Sequence, residues 1–401
     1  MNDTAAPFSQ IAPERGLRIA VVTETYPPEV NGVAMTTGRL VDGLLRRGHY
    51  VHVVRPKQSA RDQPRVNQRA EETLVASVPL PRYQGLRVGL PATRQLLRLW
   101  RKSRPDIVNV VTEGPLGRSA LIAARRLHIP ACSEFHTNFH SYSHHYGVGV
   151  VGAVIKNYLR RFHNAGACTF VPTHELKLQL EQQGYRNLSV VARGADTHLF
   201  SPSRRSDQLR ASWNAGENDV VVMYVGRLAP EKNIPLVLSA FNAIKAEQPS
   251  ARLVLVGDGP QRNQLQRGHP GYHFAGMRHG EDLAAHYASG DIFLFPSLTE
   301  TFGNVTVEAL ASGMAVVAYD YAAAREHIRH GESGLLADYD DPTRFIALGV
   351  QLANDSALRA RVRVEARHAA ERIDWERVVD DLEVALLAVA NVTNRQESAH
   401  A

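Results

Sequence analysis

Residues 296–313 read P-S-L-T-E-T-F-G-N-V-T-V-E-A-L-A-S-G and follow a short apolar run at residues 291–295. Such a run, bounded by turn residues, predicts a buried strand. A polar loop with Glu300 follows, and the pattern after Gly303 predicts a helix closed by a Ser-Gly pair. Glu308 then lies near the positive N-terminal end of that helix. Both carboxylates are expected at the mouth of a strand-loop-helix unit, where open α/β sheets bind ligands.

The chain has 401 residues, more than one ordinary hydrophobic core supports, so two domains are expected. Its composition, 44% hydrophobic and 21% charged, is that of a soluble globular protein. Residues 1–16 lack the apolar segment of a signal peptide, and they and residues 392–401 are expected to be flexible tails. The two cysteines, Cys132 and Cys168, lie in apolar strand-like segments, which indicates reduced core residues of a cytoplasmic protein without a metal site.

The net charge of +6 is unevenly distributed along the sequence. Residues 1–195 contain an excess of Lys and Arg, whereas residues 196–401 contain an excess of Asp and Glu. A basic half joined to an acidic half favours contact of the first half with an anionic partner or surface.

Strand-like and helix-like segments alternate throughout residues 17–195 and again throughout residues 196–372. This alternation predicts parallel sheets covered by helices on both faces, so the expected fold class is α/β with two tandem Rossmann-like doubly wound domains. An amphipathic helix at residues 373–391 is expected to follow the second domain.

The loop after the predicted strand at residues 220–225 carries Arg227 and, five residues later, Lys232. Arg binds oxygen atoms bidentately and Lys supplies a point charge, so the pair suits a diphosphate at the carboxyl end of a strand. A solvated polar loop is the alternative, and both interpretations stay open. The G-D-G turn at residues 257–259 would line the same crevice but is interpreted mainly as turn chemistry.

His136 ends another predicted strand, at residues 131–135. A single histidine at such a position is usually structural or merely exposed. It becomes a functional candidate because the crevice of the first domain would face Glu300 of the second. The polar and aromatic run at residues 138–146 suits hydroxyl recognition, and a plain surface loop is its alternative interpretation.

A basic helix is predicted at residues 92–104. One interpretation is an amphipathic surface helix that packs its leucines on the sheet. The other is contact with an anionic membrane, with cations on the headgroups and a tryptophan at the interface. The membrane candidates are Arg94, Arg98, Trp100, Arg101 and Lys102. The chain contains no nucleic-acid recognition motif, so nucleic acid is not an expected partner.

Several of these motifs together resemble the retaining glycosyltransferases of family 4. They are N-G-V at residues 31–33, H-T at 136–137, G-R-x4-K-N at 226–233, V-G-D-G-P at 256–260 and E-x7-E at 300–308. The resemblance spans residues 17–391 and implies a GT-B fold with a deep interdomain cleft. It implies an acceptor-side domain at residues 17–195, a nucleotide-sugar domain at 196–372, and a helix at 373–391 that crosses back to the first domain. The run E-F-H-T-N-F-H-S-Y is similar to members that glycosylate membrane lipids.

The resemblance also implies roles for individual residues. Arg227 and Lys232 match residues that hold the donor diphosphate, Glu300 matches a residue that contacts the sugar, and Glu308 matches one that binds the ribose. His136 matches a residue near the reacting carbon. The remaining donor-binding matches are Gly32, Phe302, Gly303, Asn304 and Val305. The catalytic set is thus His136, Arg227, Lys232 and Glu300, and the family uses no metal or other cofactor.

Two departures from the family pattern stand out. The family commonly has an acidic residue and two glycines near G-G-x-P-E, where this chain reads A-A-R-E at residues 323–326. Glu24 stands where Asp is frequent. The first departure concerns the shape of the local loop. Neither departure affects the predicted binding of the diphosphate by Arg227 and Lys232.

The expected function is metal-independent, retaining transfer of a hexose from a UDP- or GDP-linked donor to an alcohol, with a membrane lipid or glycolipid as acceptor. The departing phosphate would accept the proton in a front-face attack. The expected location is cytoplasmic, with peripheral binding to the anionic inner face of the cell membrane as an extension. A glycoside hydrolase and a non-catalytic nucleotide- or membrane-binding protein are the alternatives. A nicotinamide-dependent oxidoreductase is disfavoured because neither half carries G-x-G-x-x-G after its first strand.

Overall fold

The computed structural model describes residues 16–29, 31–79, 87–136 and 149–398. These residues form two compact units. Unit 1 contains the described residues before 137, residues 149–192 and the chain from residue 376 onward, and unit 2 contains residues 193–375.

Unit 1 is built on a parallel sheet whose strands lie in the order β3-β2-β1-β6-β7-β8-β9. Two further strands, β4 and β5, form a small antiparallel pair. The strands of unit 1 are β1 Arg18–Val22, β2 Tyr50–Pro56, β3 Ala70–Val75, β4 Ser77–Pro79, β5 Arg87–Gly89, β6 Ile107–Val110, β7 Ala131–Glu134, β8 Cys168–Val171 and β9 Leu188–Val190. Cys132 and Cys168 are free and are register partners on β7 and β8.

Helices cover both faces of this sheet. They are α1 Gly32–Arg46, α2 Thr93–Lys102, α3 Pro115–Arg126, α4 Gly149–His163 and α5 His174–Gln182. The crossovers β6-α3-β7 and β7-α4-β8 advance in one direction and β1-α1-β2 in the other. Because such crossovers are right-handed, α3 and α4 lie on one face and α1 lies on the opposite face.

Trp100 of α2 lies in the core of unit 1 and is only 1% exposed. It packs with Leu96 and Leu97 of the same helix against the sheet and α3. The predicted contact of Trp100 with a membrane is therefore wrong, because the indole is part of the apolar face that the sheet covers. The four cations of α2 that were predicted with it are exposed.

Unit 2 repeats the architecture with a parallel sheet in the order β12-β11-β10-β13-β14-β15. Its strands are β10 Val221–Val225, β11 Arg252–Val256, β12 His273–Gly276, β13 Ile292–Phe295, β14 Ala315–Tyr319 and β15 Leu335–Ala337. Its helices are α6 Asp207–Ser212, α7 Ile234–Glu247, α8 Arg262–Gly268, α9 Gly280–Ser289, α10 Asn304–Ala311, α11 Ala322–His327, α12 Pro342–Asn354 and α13 Ser356–Glu371. The predicted pair of Rossmann-like doubly wound sheets is confirmed.

The last helix, α14, spans Trp375–Ser398. From residue 376 onward it belongs to unit 1, where Val379 occupies the space beside Gly43 of α1. Residues 392–398, predicted to be part of a flexible tail, continue this helix because no Gly or Pro interrupts the chain there. Residues 1–15 of the predicted tail at residues 1–16, and residues 399–401 of the other, lie outside the described residues.

A buried ionic cluster lies at the amino end of β13. The Asp291 carboxylate accepts hydrogen bonds from Arg205 at 3.1 Å, from Arg210 at 3.0 Å and from Arg363 at 3.2 Å. It also accepts the backbone N–H of Val221 at 2.9 Å, which joins β10 to β13. Burial lowers the pKa of Arg363, and the Asp291 carboxylate opposes that shift. Asp291 thus joins α6, α13 and the sheet at the edge opposite to the site loops.

Candidate active site

In both sheets the strand order reverses beside the first strand of the unit, as in dinucleotide-binding folds. In unit 2 this point lies between β10 and β13, which are hydrogen-bonded neighbours. Ligands bind at the carboxyl ends of the strands at such a switch point. The two loops that leave these strands carry Arg227 and Lys232 after β10 and Glu300 after β13. The fold therefore brings these three predicted site residues to one edge of one sheet.

Lys232 ends a short 3-10 turn, Pro230–Lys232, and its ammonium group pairs with the Glu300 carboxylate. The hydroxyl of Ser297 donates to the same Glu300 oxygen at 2.7 Å. The side chains of Lys232 and Glu300 are 18% and 15% exposed, so the pair is shielded from bulk water yet reachable by a ligand. A cation and a carboxylate held side by side can bind a phosphate and a sugar hydroxyl of one donor molecule.

The hydroxyl of Tyr321 holds the loop that carries Glu300. It donates to the carbonyl oxygen of Ser297 at 2.8 Å and accepts the backbone N–H of Glu300 at 2.9 Å. Burial, and then the nearby Glu300 carboxylate, raise the pKa of Tyr321 well above its usual value. The hydroxyl therefore keeps its proton at neutral pH and can donate and accept at the same time.

We expect Tyr321→Phe to lower kcat for the predicted sugar transfer roughly 10- to 100-fold, because two backbone groups of the loop lose their partner at about 1–3 kcal/mol each. The fold should persist, since the ring and its contact with Tyr339 remain. Tyr339→Phe is the matched control: its hydroxyl donates to Leu298 of the same loop, but the residue is 53% exposed and water replaces the bond. Equal rates for the two variants would contradict the role of Tyr321.

The turn after Glu300 is shaped by a left-handed glycine and a buried ring. Gly303 has φ 94° and caps the start of α10, a conformation that other residues adopt only with strain. Phe302 is buried between the guanidinium of Arg193, 5.9 Å from the ring centroid, and the His327 ring at 5.7 Å. The carbonyl oxygen of Phe302 accepts the backbone N–H of Ala323 at 2.8 Å. The predicted donor-binding turn, which includes Asn304 and Val305, is thus fixed from both sides.

The departure at residues 323–326 leaves this turn intact. Ala322 adopts a left-handed φ of 53°, where glycine is usually favoured. The hydrogen bond from Ala323 to Phe302 holds α11 against the turn. His327 at the end of α11 is so buried that its pKa falls to about 4, and its ring is neutral beside Phe302. The chain therefore forms the left-handed turn without a glycine.

Two glycines, Gly257 and Gly259, let a neighbouring turn pack closely against the loop that carries Arg227. A Cβ atom on Gly257 would meet the carbonyl oxygen of Gly226 at 2.0 Å, and one on Gly259 would meet that of Leu228 at 2.4 Å. The two loops also share a hydrogen bond from the Leu228 N–H to the Asp258 carbonyl at 2.9 Å. The G-D-G turn therefore acts by allowing close approach of the backbones. The side chain of Arg227 is 42% exposed, and its Nη1 atom lies 3.7 Å from Oε1 of Glu231.

Glu308 lies on α10, one turn after its start. Its Oε2 accepts a hydrogen bond of 3.0 Å from the hydroxyl of Tyr287, which is fully buried on α9. Burial, and then the Glu308 carboxylate, raise the pKa of Tyr287 well above its usual value, so this hydroxyl stays a donor. Tyr287 fixes the direction of Glu308 much as Tyr321 fixes the loop of Glu300.

Gly32 and His136, the two predicted residues of unit 1, lie at the carboxyl ends of its strands. Gly32 begins α1, and the preceding Asn31 caps the helix by accepting the Ala34 N–H at 2.9 Å. Gly32 is therefore the first residue of α1, directly after the loop that leaves β1. The polar run at residues 138–146 lies outside the described residues.

His136 follows β7 and is held by a buried carboxylate. Its Nε2–H donates to Glu134 at 2.5 Å, and both side chains are buried. The other oxygen of Glu134 accepts from the Asn109 side chain at 2.6 Å. With Glu134 ionised, this chain of hydrogen bonds places a proton on Nε2 of His136 and fixes the orientation of the ring.

Sequence reasoning did not find the residues that hold the site. Glu134 carried a signal, because residues two apart on a strand share a face, and it precedes His136 by two. Tyr287 and Tyr321 had no such signal in the sequence, because they contact the glutamates from other elements at the same edge of the sheet. Within the described residues, those that the sequence did not reveal include Asn109, Glu134, Arg193, Tyr287, Ser297 and Tyr321.

Family models match both halves of the chain. Residues 30–199 match glycosyltransferase family 4, and residues 219–355 match glycosyl transferases group 1. A GDP-mannose-dependent alpha-mannosyltransferase of Mycolicibacterium smegmatis is 33% identical over 369 residues, which cover 91% of this chain and 96% of that protein. The chain belongs to glycosyltransferase family 4. The resemblance predicted from the motifs is thereby confirmed.

A further relative and a solved structure match most of the length of this glycosyltransferase. An alpha-monoglucosyldiacylglycerol synthase of Streptococcus pneumoniae is 27% identical over 324 residues, 76% of this chain and 71% of that protein. The solved structure of sucrose-phosphate synthase from Thermosynechococcus elongatus superposes with a TM-score of 0.74 at 17% identity, over 96% of this chain and 100% of that one. The glycosyltransferase therefore has the predicted GT-B fold, and it is a nucleotide-sugar glycosyltransferase.

Among the helices that the structure describes, none is both long and apolar enough to cross a membrane. Within the same residues, no group of three or more His, Cys, Asp or Glu side chains could hold a metal ion.

Proposed function

We propose that this glycosyltransferase transfers mannose from GDP-mannose, with retention at the anomeric carbon, to a hydroxyl group of a membrane glycolipid. The observation that carries the proposal is the Lys232–Glu300 pair at the switch point of unit 2, in a chain whose GDP-mannose-dependent relative aligns over 96% of its length. Mannose is α-linked in GDP-mannose, so an alpha-mannosyltransferase reaction retains the configuration.

The leaving group of this reaction is a nucleoside diphosphate, whose negative charge grows as the bond to the sugar breaks. Preorganised cations in a shielded site stabilise such charge without a metal ion. Lys232 is such a cation, since its pair with Glu300 already fixes its position. Arg227, on the same loop, adds a second charge at the exposed side of the site. The proposal therefore assigns charge neutralisation to these two side chains.

The Lys232–Glu300 pair implies an exchange of partners when the donor binds. The diphosphate competes with Glu300 for the ammonium group of Lys232, because both partners are anionic. Glu300 then offers its oxygens to the hydroxyls of the sugar, as the family resemblance implies. In the same proposal Glu308, oriented by its hydrogen bond from Tyr287, binds the ribose hydroxyls. Neither glutamate is required to transfer a proton.

We assign the chemical step to front-face attack. The bond between C1 of the sugar and the phosphate oxygen breaks, and a bond forms between C1 and the acceptor oxygen on the same face. The acceptor proton passes to the departing phosphate oxygen, so atoms and charges balance. The role of His136, which Glu134 orients, is taken from the family resemblance, which matches it to a residue near the reacting carbon. The oxocarbenium character of the sugar is stabilised by the adjacent phosphate.

A membrane glycolipid is the proposed acceptor because relatives that act on lipids align with most of the chain. The alpha-monoglucosyldiacylglycerol synthase of Streptococcus pneumoniae is one of them, and its name specifies a diacylglycerol lipid. The exposed cations of α2 support contact with an anionic surface. Peripheral binding at the inner face of the cell membrane follows from these two features.

The test is a donor panel scored by thermal stabilisation and then by transfer, with EDTA present throughout. GDP-mannose at 100 times its Kd should stabilise the folded protein by about 2.7 kcal/mol, because a ligand that binds only the folded state shifts unfolding. UDP-glucose, UDP-galactose and GDP-glucose are the comparison donors. Stabilisation by UDP-glucose alone would move the proposal to a glucosyltransferase. Activity that disappears with EDTA and returns with Mg²⁺ would refute metal independence.

The glycoside hydrolase alternative loses support from the site itself. Hydrolases place one carboxyl group on each side of the scissile bond. Glu300 instead pairs with Lys232, and Glu308 lies on the helix that follows the same loop. Release of mannose from simple mannosides in the absence of any nucleotide-sugar would restore that alternative.

A further inference from the structure

The loop between β1 and α1 of unit 1 begins with a carboxylate that bridges two other elements. Oε2 of Glu24 accepts the backbone N–H of Gly89 on β5 at 2.6 Å, and Oε1 accepts that of Leu116 on α3 at 3.0 Å. The backbone N–H of Glu24 donates to the hydroxyl of Thr112, after β6, at 2.8 Å. One residue thus joins the start of the loop to three other segments of the unit.

Two glycines make room for this carboxylate. Helix α3 has Gly114 at its N-cap and no side-chain cap of its own. A Cβ atom on Gly114 would meet Oε1 of Glu24 at 2.2 Å, and one on Gly89 would meet Oε2 at 2.9 Å. The first N–H groups of a helix have no partners within it, so they favour a negative charge. Glu24 therefore caps α3 from a distant part of the chain.

Short-range hydrogen bonds connect Glu24 to the other end of its loop. The hydroxyl of Thr23 donates to the carbonyl oxygen of Thr25 at 2.7 Å, and the hydroxyl of Thr25 accepts the side-chain amide of Asn31 at 2.6 Å. Asn31 in turn caps α1, whose first residue is Gly32. The position of Glu24 therefore constrains the backbone that leads to Gly32.

We propose that the ionised carboxylate of Glu24 is a positioning residue for the donor: its bonds to β5 and α3, the Glu24 clamp, hold the loop so that Gly32 can meet the diphosphate. This inference rests on the donor site of the proposed function, because Glu24 acts through Gly32. An ionised carboxylate offers an acceptor oxygen to both N–H groups, whereas a protonated one turns one of its oxygens into a donor. Protonation therefore weakens the clamp while the side chain stays in place.

The surroundings of Glu24 favour protonation at mildly acidic pH. Burial raises the pKa of Glu24 to about 6, although its two backbone donors lower it. The charged and titratable side chains on the elements around it are Glu29 of the same loop, Arg87 of β5, Glu113 after β6, Arg118 of α3 and Tyr158 of α4. Among the described residues, none of these side chains hydrogen-bonds to the Glu24 carboxylate, so burial is the main cause of the shift.

The sign of this shift separates positioning from unfolding. Because folding raises the pKa of Glu24, its contribution to stability is lost as the pH rises through about 6 and is regained on acidification. Acid therefore stabilises the fold through this group while it weakens the clamp. A rate that falls below about pH 6 through Glu24 cannot then be caused by unfolding through the same group.

The first test compares the pH dependence of kcat/KM in the wild type and in Glu24→Gln, which cannot ionise. At neutral pH the variant should have a KM for GDP-mannose about tenfold higher and a kcat within about twofold, because losing a hydrogen bond to a charged group lowers the competent fraction of the loop. The wild-type kcat/KM should fall below about pH 6 toward that of the variant, which should lack this fall. A fall near pH 6 that Glu24→Gln retains would overturn the proposal.

The matched control for this test is Asp106→Asn. The Asp106 carboxylate also accepts a backbone N–H, that of Arg18 at 2.7 Å, but at the amino end of β1 and on the surface. Its KM and pH profile should equal those of the wild type. A tenfold higher KM in both variants would show a general loss of stability instead of positioning.

Capping of α3 is separated from positioning by Glu24→Ala, alone and combined with Gly114→Ser. The alanine removes the atoms that a side chain at residue 114 would meet. A serine there can cap α3 itself, since Gly114 has the extended backbone of an N-cap, with φ −71° and ψ −176°. The double variant should recover melting temperature relative to Glu24→Ala, but not the KM for GDP-mannose. Recovery of both would make Glu24 only a helix cap and overturn its positioning role.

A measurement without donor keeps this inference apart from the proposed function. Hydrogen exchange in the peptide that covers residues 23–33 should be faster in Glu24→Gln than in the wild type at neutral pH, because fewer bonds hold the loop. Equal exchange would overturn the clamp. If GDP-mannose fails to stabilise the wild type, the proposed donor is wrong, whereas hydrogen exchange still decides the clamp.

Discussion

Replacing Lys232 by alanine is expected to lower kcat/KM for sugar transfer about 10³-fold, the upper range for removing one preorganised stabiliser of transition-state charge. The ammonium group is the shielded cation of the site, and it also neutralises Glu300. Its loss leaves the departing diphosphate with Arg227, which is 42% exposed and weakened by solvent. Steady-state transfer from GDP-mannose measures the effect, and the melting temperature shows whether the fold persists.

The matched control for this prediction is Lys177→Ala. Lys177 also pairs with a glutamate, Glu181 at 2.9 Å, but on the surface of α5 where both side chains are about a third or more exposed. Exposed pairs of this kind contribute about 0–1 kcal/mol, so its rate should stay within about twofold of the wild type. A Lys232→Ala enzyme that retains more than a tenth of the wild-type rate would remove Lys232 from the catalytic set.

Replacing Asp291 by alanine is expected to destabilise the protein by about 3–5 kcal/mol, because it leaves buried cations without their carboxylate. Arg210 is only 2% exposed and cannot turn to solvent. Arg205 and Arg363 lose the same partner, and the Val221 N–H of β10 loses its acceptor. At roughly 2–4 °C for each kcal/mol in a domain of this size, the melting temperature of unit 2 should fall by about 6–20 °C. Calorimetry measures it.

Two further variants separate this cluster from ordinary surface charge. Glu332→Ala removes a carboxylate of unit 2 that is half exposed and 3.6 Å from Arg329, and it should change stability by less than about 0.5 kcal/mol. Asp291→Asn keeps one acceptor oxygen and should lose less stability than alanine. An Asp291→Ala protein that melts with the wild type would show that backbone carbonyls alone satisfy the three arginines.

The sequence was sufficient for elements whose signal is local. Buried strands can be recognised in the sequence as apolar runs. Arg227, Lys232 and Glu300 each follow such a run within a few residues. Because parallel strands present their carboxyl ends at one edge, the approximate place of each side chain follows from the pattern. The amphipathic period of residues 92–104 likewise predicted a helix, and the structure has one at Thr93–Lys102.

The local sequence did not show which side chains the fold buries. Trp100 lies among arginines in the sequence, yet its indole belongs to the apolar face of α2 and is covered by the sheet and α3. On α4, by contrast, the apolar side chains of Val154 and Ile155 are exposed, and the sequence of that helix does not show which of its residues the unit covers. Residues 392–398 continue a helix because the chain there lacks a helix-breaking residue, although their polar composition favoured a tail.

The sequence by itself determined that Glu300 and Glu308 stand on one loop-helix unit at a strand end, and that cations follow a neighbouring strand. Only the tertiary structure decided how they are held: Glu300 by Lys232 and by the Tyr321 loop contacts, and Glu308 by Tyr287. The physical reason is range. Strand and helix signals arise from hydrogen bonds and burial within about ten residues, whereas Tyr321 and Tyr287 meet the glutamates across 21 positions of chain, where only packing sets the distance.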